Sequence, residues 1–115
     1  MDTTNLASIE IPAGVTFMGR SVFAGSSIES LTFAPGSQLA TIGTGAFYGT
    51  NLVSIEIPAS VTSIDREAFS GWTNQQRIYI HHATLTPPGW STGWLLGSSA
   101  QVWNASVTPP VLLNP

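Results

Sequence analysis

Leu52-Val53-Ser54-Ile55-Glu56-Ile57-Pro58 decides the fold, because the chain writes this stretch three times. Leu6-Ala7-Ser8-Ile9-Glu10-Ile11-Pro12 precedes it, and Ile28-Glu29-Ser30-Leu31-Thr32-Phe33-Ala34 stands between the two. Each copy sets an apolar residue and two spacers before an apolar–polar–apolar alternation, the period of a strand with one buried face. Ile9 and Ile11 then point inward, and Ser8 and Glu10 point out. Pro12 and Pro58 end their strands, since Pro has no N–H to continue a ladder. Downstream of each copy comes a second motif: Val22-Phe23-Ala24-Gly25, Ala46-Phe47-Tyr48-Gly49 and Ala68-Phe69-Ser70-Gly71. Phe47 follows Phe23 by 24 residues, and Phe69 follows Phe47 by 22. A near-constant period of this length marks a solenoid, whose units bury their apolar faces only against their neighbours.

The rest of each unit fits that reading. Val15 to Met18, Leu39 to Ile42 and Val61 to Ile64 predict a second short extended segment, followed by a turn at Gly19, Gly43 or Asp65. Phe fills the core of each coil, and Gly25, Gly49 and Gly71 stand where the chain turns back. The two extra residues of the second unit fall at Pro35-Gly36-Ser37-Gln38, a turn-forming cluster. Ile78-Tyr79-Ile80, one residue late after Asn74-Gln75-Gln76, opens an incomplete fourth unit. The fold class expected is a β-rich solenoid, a short right-handed leucine-rich-repeat array of three full units and a partial fourth, with a helical turn in each repeat and a Trp/Pro-rich C-terminal cap.

The units Leu6 to Gly25 and Leu52 to Gly71 resemble the BspA-like leucine-rich repeat, whose pattern runs LxxIxIPxSVTxIGxxAFxGC. Ser26, Thr50 and Trp72 stand at its usual Cys, and Asp65 replaces a Gly. The resemblance covers residues 5–82. It implies parallel strands on a concave face and a surface or secreted protein that binds other proteins or host matrix. Residues 83–105 read as a degenerate terminal repeat or cap, with Trp90, Trp94 and Trp103 expected over the Ile78–Ile80 edge. Residues 106–115 read as an extended apolar tail. From Ile78 onward no Asp, Glu, Lys or Arg occurs, so Val111, Leu112 and Leu113 are expected to dock, with a neighbouring subunit favoured over the chain's own cap.

Composition excludes several partners. Three Arg, no Lys and six acidic residues give a net charge of −3, which argues against nucleic acid, whose phosphates need clustered cations. The apolar runs are far shorter than the roughly 20 residues of a membrane span, and Met1-Asp2-Thr3-Thr4-Asn5 carries neither the basic nor the apolar region expected of a signal peptide. Zero Cys removes disulfides, thiolate metal sites and Cys nucleophiles. His81 and His82 are adjacent on an extended segment and point apart, which disfavours a shared ion. Gly43-Thr44-Gly45 lacks the third Gly of a phosphate loop and reads as a core turn. No nucleophile elbow is present. Asn104-Ala105-Ser106 matches a glycosylation sequon. No enzyme activity, cofactor or metal is expected.

The candidate site is a surface. Stacked strands align two outward columns, Ser8, Ser30, Ser54, Arg77 and Glu10, Thr32, Glu56, Tyr79, about 4.8 Å apart from strand to strand. Phe17, equivalent to Thr41 and Ser63, points outward in a first unit without an N-terminal cap, and joins Val111, Leu112 and Leu113 as candidate assembly contacts. The leading reading is a non-enzymatic protein-interaction module, surface-exposed and used in adhesion or recognition. Its partner is a protein or neighbouring subunit, with a glycan or matrix ligand as the alternative. The competing reading is a structural subunit of a surface layer, filament or virion, joined through the uncapped N-terminal edge and the tail.

Overall fold

A computed structural model describes residues 8–114. The inward Ile and Leu residues draw each repeat into a strand: β1 (Ser8–Ile11), β3 (Ser30–Phe33), β5 (Ser54–Glu56), β7 (Arg77–Ile80) and β8 (Gln101–Asn104). A two-residue strand follows in each of the first three units: β2 (Phe17–Met18), β4 (Thr41–Ile42) and β6 (Ser63–Ile64). The last element, β9, covers Val111–Leu112. All pairs are parallel except β8 with β9, as a coil that advances one strand spacing per turn requires. The second sheet runs β2-β4-β6 without interruption. The first is divided into β1-β3 and β5-β7-β8-β9. The result is a parallel β-solenoid of about four turns.

Among the described residues no helix forms, and the expected helical turn is corrected. At Arg20–Gly25 the N–H groups of Val22 and Ala24 do bond to Gly19 and Ser21 three residues back. Those of Ser21, Phe23 and Gly25 instead reach Thr44, Ala46 and Tyr48 in the next coil. Alternate donors leave for the neighbour, so no run of consecutive bonds is left to build a helix.

The core is a stack. Phe23 and Phe47 lie 5.7 Å apart at 17°, Phe47 and Phe69 5.3 Å apart at 9°. Ile42, Ile55, Ile57, Ile64, Ile78 and Val102 pack around them, all buried. Trp94 closes edge-on over Phe69 at 5.8 Å, and Trp90 meets Trp94 at 5.0 Å. The hydrogen-bond register passes unbroken through the expected boundary at residue 82. Ser91 N–H bonds Ile64 as Asp65 bonds Ile42, and Gly71 N–H reaches Gly97. Residues 87–98 therefore repeat the turn of the preceding coil. Gly89 is required there: its φ is +90°, and a Cβ would stand 2.6 Å from the Thr62 carbonyl oxygen.

Two expectations for the C-terminal region change. Trp103 does not cover the Ile78–Ile80 edge; it faces outward from β8, and Val102 lies opposite Ile78 instead. The tail pairs with its own chain. Val111 and Leu112 pair antiparallel with Asn104 and Trp103, and Leu113 N–H donates to Val102 at 2.8 Å. The outer edge of β8 offers backbone donors and acceptors, and an apolar segment tethered a few residues away reaches them first.

Candidate functional site

The strand register places the predicted columns as neighbours. Ser8 stands opposite Ser30 and Glu10 opposite Thr32; Ser54 stands opposite Arg77 and Glu56 opposite Tyr79. All are exposed except Tyr79, which is half-buried. β8 extends both columns by residues not predicted for the site: Gln101 beside Arg77 and Trp103 beside Tyr79. The alternation Ala100-Gln101-Val102-Trp103-Asn104 carried that signal, with Ala100, Val102 and Asn104 buried.

The columns do not form one even surface. β3 and β5 belong to consecutive coils yet make no ladder. Their seam opens into a groove of about 890 Å³ lined by Ser30, Thr32, Ser54, Glu56 and Tyr79 from the predicted columns. Glu29, Ser37 and Ser60 line it as well, which sequence periodicity did not single out. The seam borders the unit with the two extra residues at Pro35–Gln38 and with Leu31 and Phe33 where the first and third units carry Ile. Behind it β4 and β6 remain paired and the Phe47–Phe69 stack is intact.

The two sides of the seam differ chemically. On the β7–β8 side the Arg77 guanidinium lies 5.2 Å from the Trp103 ring centroid and donates to the Tyr79 hydroxyl at 3.3 Å. Trp103 Nε1 donates to Gln101 at 3.1 Å, so the four side chains brace one another. In the groove the charged side chains are Glu29 and Glu56, with no Lys or Arg in the lining. Glu56 Oε2 lies 2.9 Å from His81 Nε2. His82 turns away to pack edge-on against Trp90 at 5.3 Å, so the two rings serve different neighbours.

Other candidates lie elsewhere. Phe17 is 62% exposed on β2, in register with Thr41 and Ser63. Val111 is exposed at β9, while Leu112 and Leu113 are half-buried. The first coil and the last strand carry these residues, so the fold does not bring the four together. Asn104 of the sequon is buried, and its Oδ1 accepts from Ser106 N–H at 2.9 Å. Its side-chain oxygen is committed to that turn.

A parallel β-solenoid whose coils repeat an L-x-x-I-x-I-type strand, with a Phe-centred turn in the first three, is a leucine-rich-repeat array. The family model for the BspA type leucine rich repeat region, in six copies, matches residues 1–87, and the chain belongs to that family. No match is found among curated proteins or among solved structures. The family is generally one of protein-interaction and surface proteins, usually non-catalytic. Among the described residues no helix is long and apolar enough to cross a membrane.

Proposed function

We propose that the chain is a non-enzymatic recognition module that engages a protein partner across the strand face, on a surface-exposed adhesion or recognition protein. The supporting observation is a pair of registers, Ser8–Ser30 with Glu10–Thr32 and Ser54–Arg77 with Glu56–Tyr79, that set these polar side chains on neighbouring strands, all exposed but the half-buried Tyr79. Rigid strands present these groups at fixed spacing, so a partner finds them preorganised. In this reading residues 5–82 form the repeat body, residues 83–105 complete its last coil and strand, and residues 106–115 seal that strand's edge. Glu56→Arg combined with Tyr79→Ala tests it. A partner captured on the immobilised wild-type chain and titrated by calorimetry should bind the variant at least about tenfold more weakly at unchanged melting temperature, because the truncated contacts lie on the surface. Unchanged affinity moves the site off this face.

The exposed Phe17 and Val111 side chains support the alternative of a structural subunit. Light scattering separates the two: a monodisperse monomer supports recognition, and open-ended assembly supports the structural reading.

A further inference from the structure

Resting on that reading, we propose that the β3–β5 seam is the docking site within the face, and that its occupant is an extended polypeptide segment bearing Lys or Arg side chains. Two independent features carry this. The first is the interrupted ladder. Arg77 N–H bonds Val53 and Ile57 N–H bonds Tyr79, so the residues flanking β5 aim their backbone at β7. By the alternation of a strand, the backbone groups of Ser54 and Glu56 face β3. Ala34 N–H bonds Ile11, which by the same alternation turns the backbone of Leu31 and Phe33 toward β5. These groups border the groove and form no ladder with each other. Backbone donors and acceptors demand partners once covered, and an extended segment lying over the seam brings backbone groups to them.

The second feature is charge. Among the described residues Glu29 and Glu56 are the only charged ones lining the groove; Arg77 stands at its rim on the Tyr79 hydroxyl, and Arg20 and Arg66 are not part of the lining. An acidic partner meets repulsion there, whereas a cationic side chain meets two carboxylates, the Tyr79 ring and the hydroxyls of Ser30, Thr32 and Ser54. A glycan fits the hydroxyls and the ring but gains nothing from the carboxylates. Alternation in an extended segment puts every second side chain on one face, so the expected pattern is a basic residue at alternate positions.

The experiment uses the full chain and three synthetic octapeptides: alternating Ser-Lys, alternating Ser-Glu, and Ser-Lys with N-methylated backbone. Calorimetry at low ionic strength should show saturable one-to-one binding of the Ser-Lys peptide only. Glu29→Gln with Glu56→Gln should weaken it about tenfold or more, while Asp65→Asn with Glu67→Gln, which removes the same charge away from the groove, should change it less than about twofold. Equal losses in the two variants would reduce the effect to net charge and overturn the proposal. Equal affinity of the N-methylated peptide would overturn the role of the strand edges. If a captured protein partner loses affinity on Glu56→Arg with Tyr79→Ala but not on Glu29→Gln with Glu56→Gln, the face stands as the binding surface and the basic segment is refuted. Loss on neither removes the face itself.

Discussion

The side-chain amide of Asn114 accepts a hydrogen bond from the backbone N–H of Val102 at 2.7 Å. Its Nδ2 also donates to the Ala100 carbonyl at 2.9 Å. One side-chain amide thus stands where the backbone of a further coil would run. Together with Leu113 N–H it occupies the outer edge of β8, the edge that invites pairing with another chain.

Asn114→Ala should therefore cost about 1–3 kcal/mol, because it strands a part-buried donor and acceptor. Deleting residues 106–115 should lower the melting temperature further and raise the tendency to self-associate through the freed strand. Thermal denaturation followed by light scattering checks both; an unchanged melting temperature in the deletion would show that β9 contributes nothing.

Phe47 stacks between Phe23 and Phe69 and is fully buried. Phe47→Ala should cost about 3–5 kcal/mol through lost burial and the cavity left behind. That is a large share of the stability of a domain this size. Thermal denaturation should show most of the transition shifted or lost, and a shift of only a degree or two would contradict the stacked core.

Thr50 is buried at one of the positions where the family pattern carries Cys, and its Oγ1 has no hydrogen-bond partner. Thr50→Val keeps the shape and removes the unsatisfied hydroxyl, so it should stabilise the fold by about 1 kcal/mol. Trp72 solves the same position differently in the next coil, sending Nε1 across to the Phe47 carbonyl at 2.9 Å. Trp72→Phe keeps an aromatic ring but removes that bond, leaving the Phe47 carbonyl only the Thr50 N–H at 3.2 Å, and should destabilise in urea titration where Thr50→Val does the reverse.

Gly89→Ala should be among the costlier substitutions outside the Phe stack. The new Cβ would need to move the Thr62 carbonyl, and the left-handed φ adds about 1–2 kcal/mol of strain. Melting well below wild type is expected; near-identity would mean that this turn does not pack against the preceding coil.

Repeat period and strand alternation were enough to read the coils, their inward residues and the neighbours Ser8–Ser30, Glu10–Thr32, Ser54–Arg77 and Glu56–Tyr79, because nearest-neighbour stacking turns a sequence period directly into spatial register. The same logic runs out where an interaction leaves that period. The helical turn failed because alternate N–H groups bond the next coil. Trp103 faces outward because β8 keeps the strand alternation that a reading of Trp as capping residue overlooked. The docked tail and the Asn114 contact depend on a free β8 edge within reach of a short tether, and no periodicity encodes that. The β3–β5 seam is of the same kind: a two-residue insertion and the change to Leu31 and Phe33 are visible in the chain, but whether a ladder closes or opens across them depends on how two whole coils pack. Local pattern sets what each coil looks like; the meeting of coils sets where the face parts and what lines it.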